Sequence, residues 1–154
     1  MDSCSAVAPV LETTVCRVFD GFIHTLVRPH EIELCGSGGC YLLASVGMRG
    51  AVDGVMSIVA PVELCAELAA AQIGACRCAA DVGALAVSVL AEIAGMSAGC
   101  VATILEPVEM TWLTPPAVTD ASSHEWDVLR MARHAALLDI AGRQVLVSAD
   151  VAER

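Results

Sequence analysis

Residues 81–99 constrain the fold more than any other stretch, because they combine a wide apolar face with a narrow polar edge. The segment reads DVGALAVSVLAEIAGMSAG, and its apolar residues recur three and four apart. That spacing places them on one face of an α-helix, which needs a large partner surface to cover it. We expect this face to pack on a sheet through Val82, Leu85, Val89, Ile93 and Met96, with Ala86 and Leu90 widening it.

A polar stripe runs along the flank of the apolar face. Asp81, Ser88, Glu92 and Gly95 recur seven, four and three apart, so they share one edge of the helix. If this helix binds a partner or takes part in a reaction, we expect it to do so through that edge. The alternative interpretation is a core helix whose polar edge only faces solvent. Ser88 is a poor candidate nucleophile, because a mid-helix serine lacks the strained turn that presents one.

The composition indicates one aliphatic, acidic domain spanning residues 1–154. The chain is 56% hydrophobic but only 3% aromatic, so alanine, valine and leucine must fill the core. A formal net charge of -10 argues against a nucleic-acid partner, because an acidic surface repels phosphate backbones. The glycines at 47, 50 and 54 lack the ending of a phosphate-binding loop, and we expect no cofactor.

The mean hydropathy of +0.70 raises the question of a membrane span. The best candidate, residues 82–105, carries Glu92 near its middle, and a charge there costs roughly 2.5–3.5 kcal/mol on insertion scales. The first twelve residues lack the basic start and long apolar run of a signal peptide. We therefore expect a cytoplasmic protein without a membrane partner.

Eight cysteines suggest a second class of function. Without export, reduced thiols are expected. Cys76 and Cys78 form a Cys-x-Cys pair, but no second close pair accompanies it, as most zinc sites require. A thiol or metal function involving Cys65, Cys76 and Cys78 stays as an alternative, whereas the favoured interpretation is small buried or loop thiols and no metal.

The remaining segments predict an α+β fold, because helices and strands come in blocks instead of alternating strictly. We expect a helix from Pro9 that ends before Pro29, and a second helix over residues 61–73 that Gly74 caps. Gly99 is expected to end the third helix, which leaves residues 100–105 either helical or extended. The predicted architecture is one mostly antiparallel sheet of about six strands with three main helices. The extended segments are residues 31–35, 40–46, 55–59, 110–116, 126–138 and 144–151, with turns at 36–39, 47–54 and 139–142 and a polar loop at 119–124.

Taken in this order, the segments resemble the CheC/CheX chemotaxis phosphatases, and most closely the CheX-like members. The most specific match is the run Glu92-Ile93-Ala94-Gly95-Met96-Ser97-Ala98-Gly99, which is similar to the family's Glu-x-x-Asn-Met-x-x-Gly motif. The opening helix, the glycine-punctuated strand pair before the second helix, and Pro115-Pro116 before a terminal hairpin also match. The resemblance runs from about residue 7 to 151. It implies a single domain on one curved sheet that hydrolyses the aspartyl phosphate of a CheY-type response regulator.

The resemblance also implies a site, which this chain has only in part. In the family, the Asn amide of the motif orients the attacking water and the Glu anchors the regulator. The Glu position is Glu92, but the Asn position is Gly95, which has no side chain to hold water. The favoured interpretation is a binding module that contacts a phosphorylated regulator through Ser88, Glu92 and Gly95 and has lost the catalytic chemistry. An active phosphatase that uses Glu92 with a variant partner is the alternative.

An oligomeric state follows from the same resemblance. CheX-like members pair through their strands, so we expect a homodimer.

Overall fold

The computed structural model describes residues 6–23, 40–73 and 82–152. These ranges contain four helices and one open six-stranded sheet, which confirms the predicted α+β class with a short fourth helix added. The predicted strand at 31–35 and the Gly74 cap lie outside the described residues. The elements are α1 (Val7–Ile23), β1 (Tyr41–Gly50), β2 (Gly54–Pro61), α2 (Val62–Ile73), α3 (Val82–Leu105), β3 (Thr111–Leu113), β4 (Ala117–Ala121), α4 (Ser123–Arg130), β5 (His134–Ile140) and β6 (Arg143–Val151).

The sheet is antiparallel at every pairing. Its order is β3-β1-β2-β6-β5, and β4 also pairs with β1, next to β3. The β1–β2 turn needs glycine at both ends. Gly50 has a φ of 116°, and a Cβ on Gly54 would lie 2.0 Å from the carbonyl oxygen of Asp150. From the strand order, β5 is one edge of the sheet within the described ranges, and β3 with β4 forms the other.

Helices α1, α2 and α3 cover one face of the sheet, where the main core lies. Alternate residues of the strands point into this core. In β1 they are Leu42, Ala44, Val46 and Met48, and in β6 they are Val145, Val147 and Ala149.

Helix α3 packs on β1 and β2, as its apolar spacing predicts. Val89 and Ile93 are buried, and Leu85 is half-buried against the core. Met96 corrects the prediction, because it is 48% exposed. The buried face is centred on the row Leu90, Ala94, Ser97 and Val101, so that Met96 falls on its margin.

Helix α3 also continues past Gly99 to Leu105, so the prediction that Gly99 ends it is wrong. Residues 83–105 are long and apolar enough to span a membrane, but 44% of the most apolar stretch is buried inside the fold. Helices α1 and α2 and the sheet all contact it. That pattern is typical of a core helix in a globular domain.

The stretch between Pro116 and His134 differs most from the sequence-based expectation. Half of the predicted loop at 119–124 belongs to strand β4, and the first part of the predicted strand 126–138 is helix α4. A capping box starts α4: Ser122 Oγ accepts from the Glu125 backbone N–H, and the Glu125 carboxylate accepts from the Ser122 N–H. Helix α4 lies on β5 and β6, and the Trp126 ring packs against that of Tyr41 with centroids 5.0 Å apart.

Candidate functional site

The polar stripe predicted on α3 lies on the surface. Ser88 and Glu92 are exposed, and Gly95 is half-buried beside them. Asp81 lies outside the described residues. The Ser88 hydroxyl donates a hydrogen bond to the Ala84 carbonyl at 3.1 Å, the usual backbone bond of a helical serine. The described part of the stripe therefore offers the Glu92 carboxylate and a hydroxyl already bound to its own helix.

Gly95 leaves a gap in the stripe where a Cβ can be added without a clash. Its backbone is ordinary helix, and a Cβ built there would meet only the Pro116 Cγ, at 3.5 Å. That separation is an ordinary van der Waals contact. The glycine is therefore required neither by backbone conformation nor by a close approach, and the position simply lacks the amide that the resemblance implies.

Residues 113–116, from the end of β3 to the start of β4, run along the stripe, and we call them the wall. Pro116 lies against Gly95, and Leu113 Cδ1 lies 3.6 Å from the position of a Cβ on Gly99. Thr114 holds this wall to β1: its N–H donates to the Gly47 carbonyl at 2.9 Å, and its hydroxyl accepts from the Gly47 N–H at 2.8 Å. The sequence indicated an extended segment here but not that it borders the stripe.

Sequence reasoning also missed an exposed apolar stretch that leads into this wall. Val108, Met110 and Trp112 are largely exposed, and Leu113 is partly so. The chain has only two tryptophans, and one of them stands on the surface here. The extended pattern of 110–116 was visible in the sequence, but its exposure depends on the tertiary arrangement.

The cysteines that the structure describes do not form a metal site. Within the ranges searched, no group of three metal-ligating side chains comes together. Cys65 belongs to α2 and points into the core, and burial raises the pKa of its thiol to about 12. A protonated, buried thiol is a poor ligand and a poor nucleophile. Cys76 and Cys78 lie outside the described residues.

Comparison with known proteins identifies the fold. No protein-family model matches the sequence, and no curated protein sequence matches it. The chain is similar to CheX in the CheX-CheY-BeF3-Mg²⁺ complex from Borrelia burgdorferi, with a TM-score of 0.59 and 16% identity over 92% of this chain and 97% of that one. It is similar to the chemotaxis protein CheX from Desulfovibrio desulfuricans, with a TM-score of 0.59 and 14% identity over 92% and 99%.

A third solved structure agrees. The putative chemotaxis protein from Desulfovibrio vulgaris Hildenborough has a TM-score of 0.55 and 13% identity, over 90% of this chain and 96% of that one. The class defined by this architecture is thus an α+β domain with three helices on one face of an open antiparallel sheet. More particularly, the chain has the CheX fold, which confirms the resemblance seen in the sequence at the level of the fold.

Proposed function

We propose that this chain is a single CheX-like domain, residues 1–154, that binds a phosphorylated CheY-type response regulator through α3 without dephosphorylating it. The observation that carries the proposal is the exposed stripe with Glu92 present and Gly95 open. This stripe lies on a fold shared with a CheX structure solved together with CheY. By this proposal the protein belongs to a chemotaxis or two-component pathway in the cytoplasm.

The chemistry of phosphoryl transfer explains why the gap matters. Hydrolysis of an acyl phosphate needs a water held in line with the phosphorus, and a positioned amide can supply that orientation. Glu92 retains a carboxylate that can pair with a cation on the regulator. At Gly95 the nearest side chain is Pro116, which has neither donor nor acceptor. Binding without hydrolysis would protect the phosphorylated regulator or hold it in place.

Two assays on purified protein test the proposal. Receiver proteins encoded in the same genome are titrated with the full chain, with and without beryllofluoride and Mg²⁺ as a mimic of the aspartyl phosphate. Phosphate release from the phosphorylated receivers is then followed with and without the chain. We expect tighter binding of the beryllofluoride form to at least one receiver and no faster phosphate release.

A matched pair of variants locates the binding to α3. Glu92→Gln removes the charge but keeps the shape, and we expect about tenfold weaker binding, since hydrogen bonds to charged groups are the strong ones. Glu12→Gln makes the same change at an exposed site on α1 and should bind as the wild type. Faster phosphate release by the wild type would favour the alternative, an active phosphatase with a variant partner for Glu92. Binding to no receiver would overturn the proposal.

The proposed function includes self-association. We infer a homodimer from the resemblance to CheX-like proteins and from β5, an edge strand of the described sheet that carries an exposed leucine, Leu137. An uncovered edge presents unpaired backbone groups that favour pairing with another chain.

A further inference from the structure

A cavity of about 460 Å³ is lined by residues of α1, α3 and the end of α2. Its volume falls in the range of roughly 300–1,000 Å³ that is typical of small-molecule sites. We call this cavity the groove and define it by lining residues on two helices, which are Thr14, Arg17 and Gly21 on α1 and Met96, Cys100 and Ile104 on α3.

The α3 side of the groove is an exposed row of apolar side chains and one thiol. Met96, Cys100 and Ile104 recur four apart, so their side chains follow one another along the helix. All three are exposed, and the eight residues from Met96 to Ile104 span about 12 Å of helix. The exposed Met96, which the apolar spacing placed against the sheet, therefore belongs to a surface that an aliphatic chain can cover.

The α1 side of the groove supplies a buried hydroxyl without a hydrogen-bond partner. Thr14 lines the groove and is 4% exposed, and its Oγ1 forms no hydrogen bond within the part of the chain that the structure describes. A helical threonine often donates to the carbonyl four residues before it, as Thr103 does to Gly99 at 2.9 Å. Because a buried polar atom without a partner is costly, an acceptor that reaches Thr14 gains a hydrogen bond without breaking another.

A cation lies one helical turn from this hydroxyl. Arg17 is exposed and lines the groove, and it forms no ion pair among the described residues. Asp20, the carboxylate nearest to it along α1, does not line the groove. Side chains three apart on a helix are neighbours, with Cβ atoms about 5–6 Å apart, so one small anion can contact both Thr14 and Arg17. A guanidinium donates two parallel hydrogen bonds to a carboxylate, and the threonine hydroxyl can donate a third.

Gly21 leaves space in the groove beside these two groups. A Cβ built on Gly21 meets no atom of the described residues within 4 Å. Its backbone is ordinary helix, so the glycine is not required by a left-handed conformation. A larger side chain at this position would occupy space that a ligand would need, which makes Gly21 the position for a blocking variant.

We propose that the groove binds an aliphatic monocarboxylic acid of medium chain length. The carboxylate lies between Arg17 and Thr14, and the hydrocarbon chain covers the exposed row on α3. Charge complementarity with Arg17, the unpartnered hydroxyl and the apolar row are three separate observations, and one amphiphilic molecule satisfies all of them. The lining of the groove includes neither Glu92 nor Gly95, so this inference does not depend on the proposed binding of a response regulator.

The test titrates the full chain with three probes of equal chain length, which are decanoate, decanol and decyltrimethylammonium. Calorimetry should show one decanoate bound per chain, and decanol bound about tenfold more weakly because it lacks the charge that pairs with Arg17. The cationic probe should bind more weakly still. Arg17→Gln should weaken decanoate binding about tenfold and leave decanol binding within about twofold of the wild type. Arg49→Gln makes the same change at an exposed arginine of β1 outside the groove and should bind both probes as the wild type does.

Two further variants test the hydroxyl and the open space. Thr14→Val keeps the shape of the side chain but removes the hydroxyl, and it should weaken decanoate binding about fivefold. It should also raise the Tm of the ligand-free chain by about 2–4 °C, because an unpartnered buried group is lost. Gly21→Leu should abolish the binding of decanoate and decanol. Gly83→Leu adds the same side chain at an open glycine in the first turn of α3 and should bind as the wild type does.

Several results would overturn the inference. A wild-type chain that binds no decanoate would leave the groove to an apolar segment of a partner protein. Equal binding of decanoate and decanol, or decanoate binding that is unchanged in Arg17→Gln, would rule out a carboxylate site. Decanoate binding that survives Gly21→Leu would place the site outside the groove.

Discussion

Gly95 occupies a helical position where a Cβ can be added without a clash. A Cβ there would touch only Pro116, and the backbone needs no left-handed conformation. We predict that Gly95→Asn gains phosphatase activity, visible as phosphate release from a bound receiver at least about tenfold above the wild type, because a water-orienting amide is restored beside Glu92. The free energy of unfolding should rise by a few tenths of a kcal/mol, since asparagine suits a helix interior better than glycine.

Gly83→Asn is the matched control for this substitution. Gly83 lies on the same helix, and a Cβ there meets no atom within 4 Å. Its variant should show no activity, because Gly83 lies in the first turn of α3, far from Glu92. A folded Gly95→Asn protein that binds the receiver but stays inactive would mean that the chain lacks more than one amide.

The buried thiol of Cys65 leads to a prediction about the free energy of unfolding at alkaline pH. Burial raises the pKa of its thiol from the ordinary value of 9.0 to about 12. The folded chain therefore holds this proton between pH 9 and 12 while the unfolded chain releases it, so the free energy of unfolding falls as pH rises through that window. The slope approaches about 1.4 kcal/mol per pH unit for one such group.

The chain has no lysine and one tyrosine, but its seven other cysteines also titrate in this range, so Cys65 is isolated by comparing variants. Urea unfolding at pH 8, 9 and 10 under reducing conditions should give a shallower decline for Cys65→Ala than for the wild type. Cys100→Ala, which removes an exposed thiol from α3, should keep the wild-type slope. Equal slopes for all three proteins would mean that Cys65 ionises freely in the folded state.

At the scale of elements, α3 allows the sharpest test of packing. Val89 is 4% exposed and Val87 is 38% exposed on the same helix. Val89→Asp should cost more than about 3 kcal/mol, because it places an unpaired charge in the core. Val87→Asp makes the same substitution at a solvent-exposed position and should lower the free energy of unfolding by less than about 1 kcal/mol. Urea denaturation measures both, and equal stabilities would contradict the packing of α3 on the sheet.

Helices α3 and α4 show where the local sequence pattern is enough to predict a helix and where it is not. The apolar spacing of α3 located the helix but not its end, because Gly99 is tolerated inside it, with Leu113 packed alongside. The capping box at Ser122 and Glu125 was visible in the sequence, yet α4 was predicted as strand. Trp126 and Val128 favour strands, and α4 has no fully buried residue to give it a strong helical pattern.

At the scale of the whole molecule, hydrophobic patterning specified the class of fold but not the order of its strands. The terminal hairpin of β5 and β6 is local and could be predicted, whereas β3 and β4 reach β1 across more than sixty residues of sequence. The candidate site likewise has one part that could be predicted from the sequence and one that depends on the tertiary fold. The resemblance supplied Glu92 and Gly95, but the sequence did not show that Leu113 and Pro116 fold back beside Gly99 and Gly95.

The last prediction concerns the proposed homodimer. β5 is an edge of the described sheet, and its Leu137 is 49% exposed. We predict that sedimentation at high micromolar concentration gives twice the chain mass of 15.9 kDa. In a two-fold pair of β5 edges, each Leu137 lies near its copy, so Leu137→Glu should shift the protein to the monomer by like-charge repulsion. Val128→Glu adds the same charge at an exposed valine on α4 and should stay dimeric. A wild-type monomer at this concentration would rule out the homodimer, whereas a dimer that survives Leu137→Glu would assign the contact to another surface.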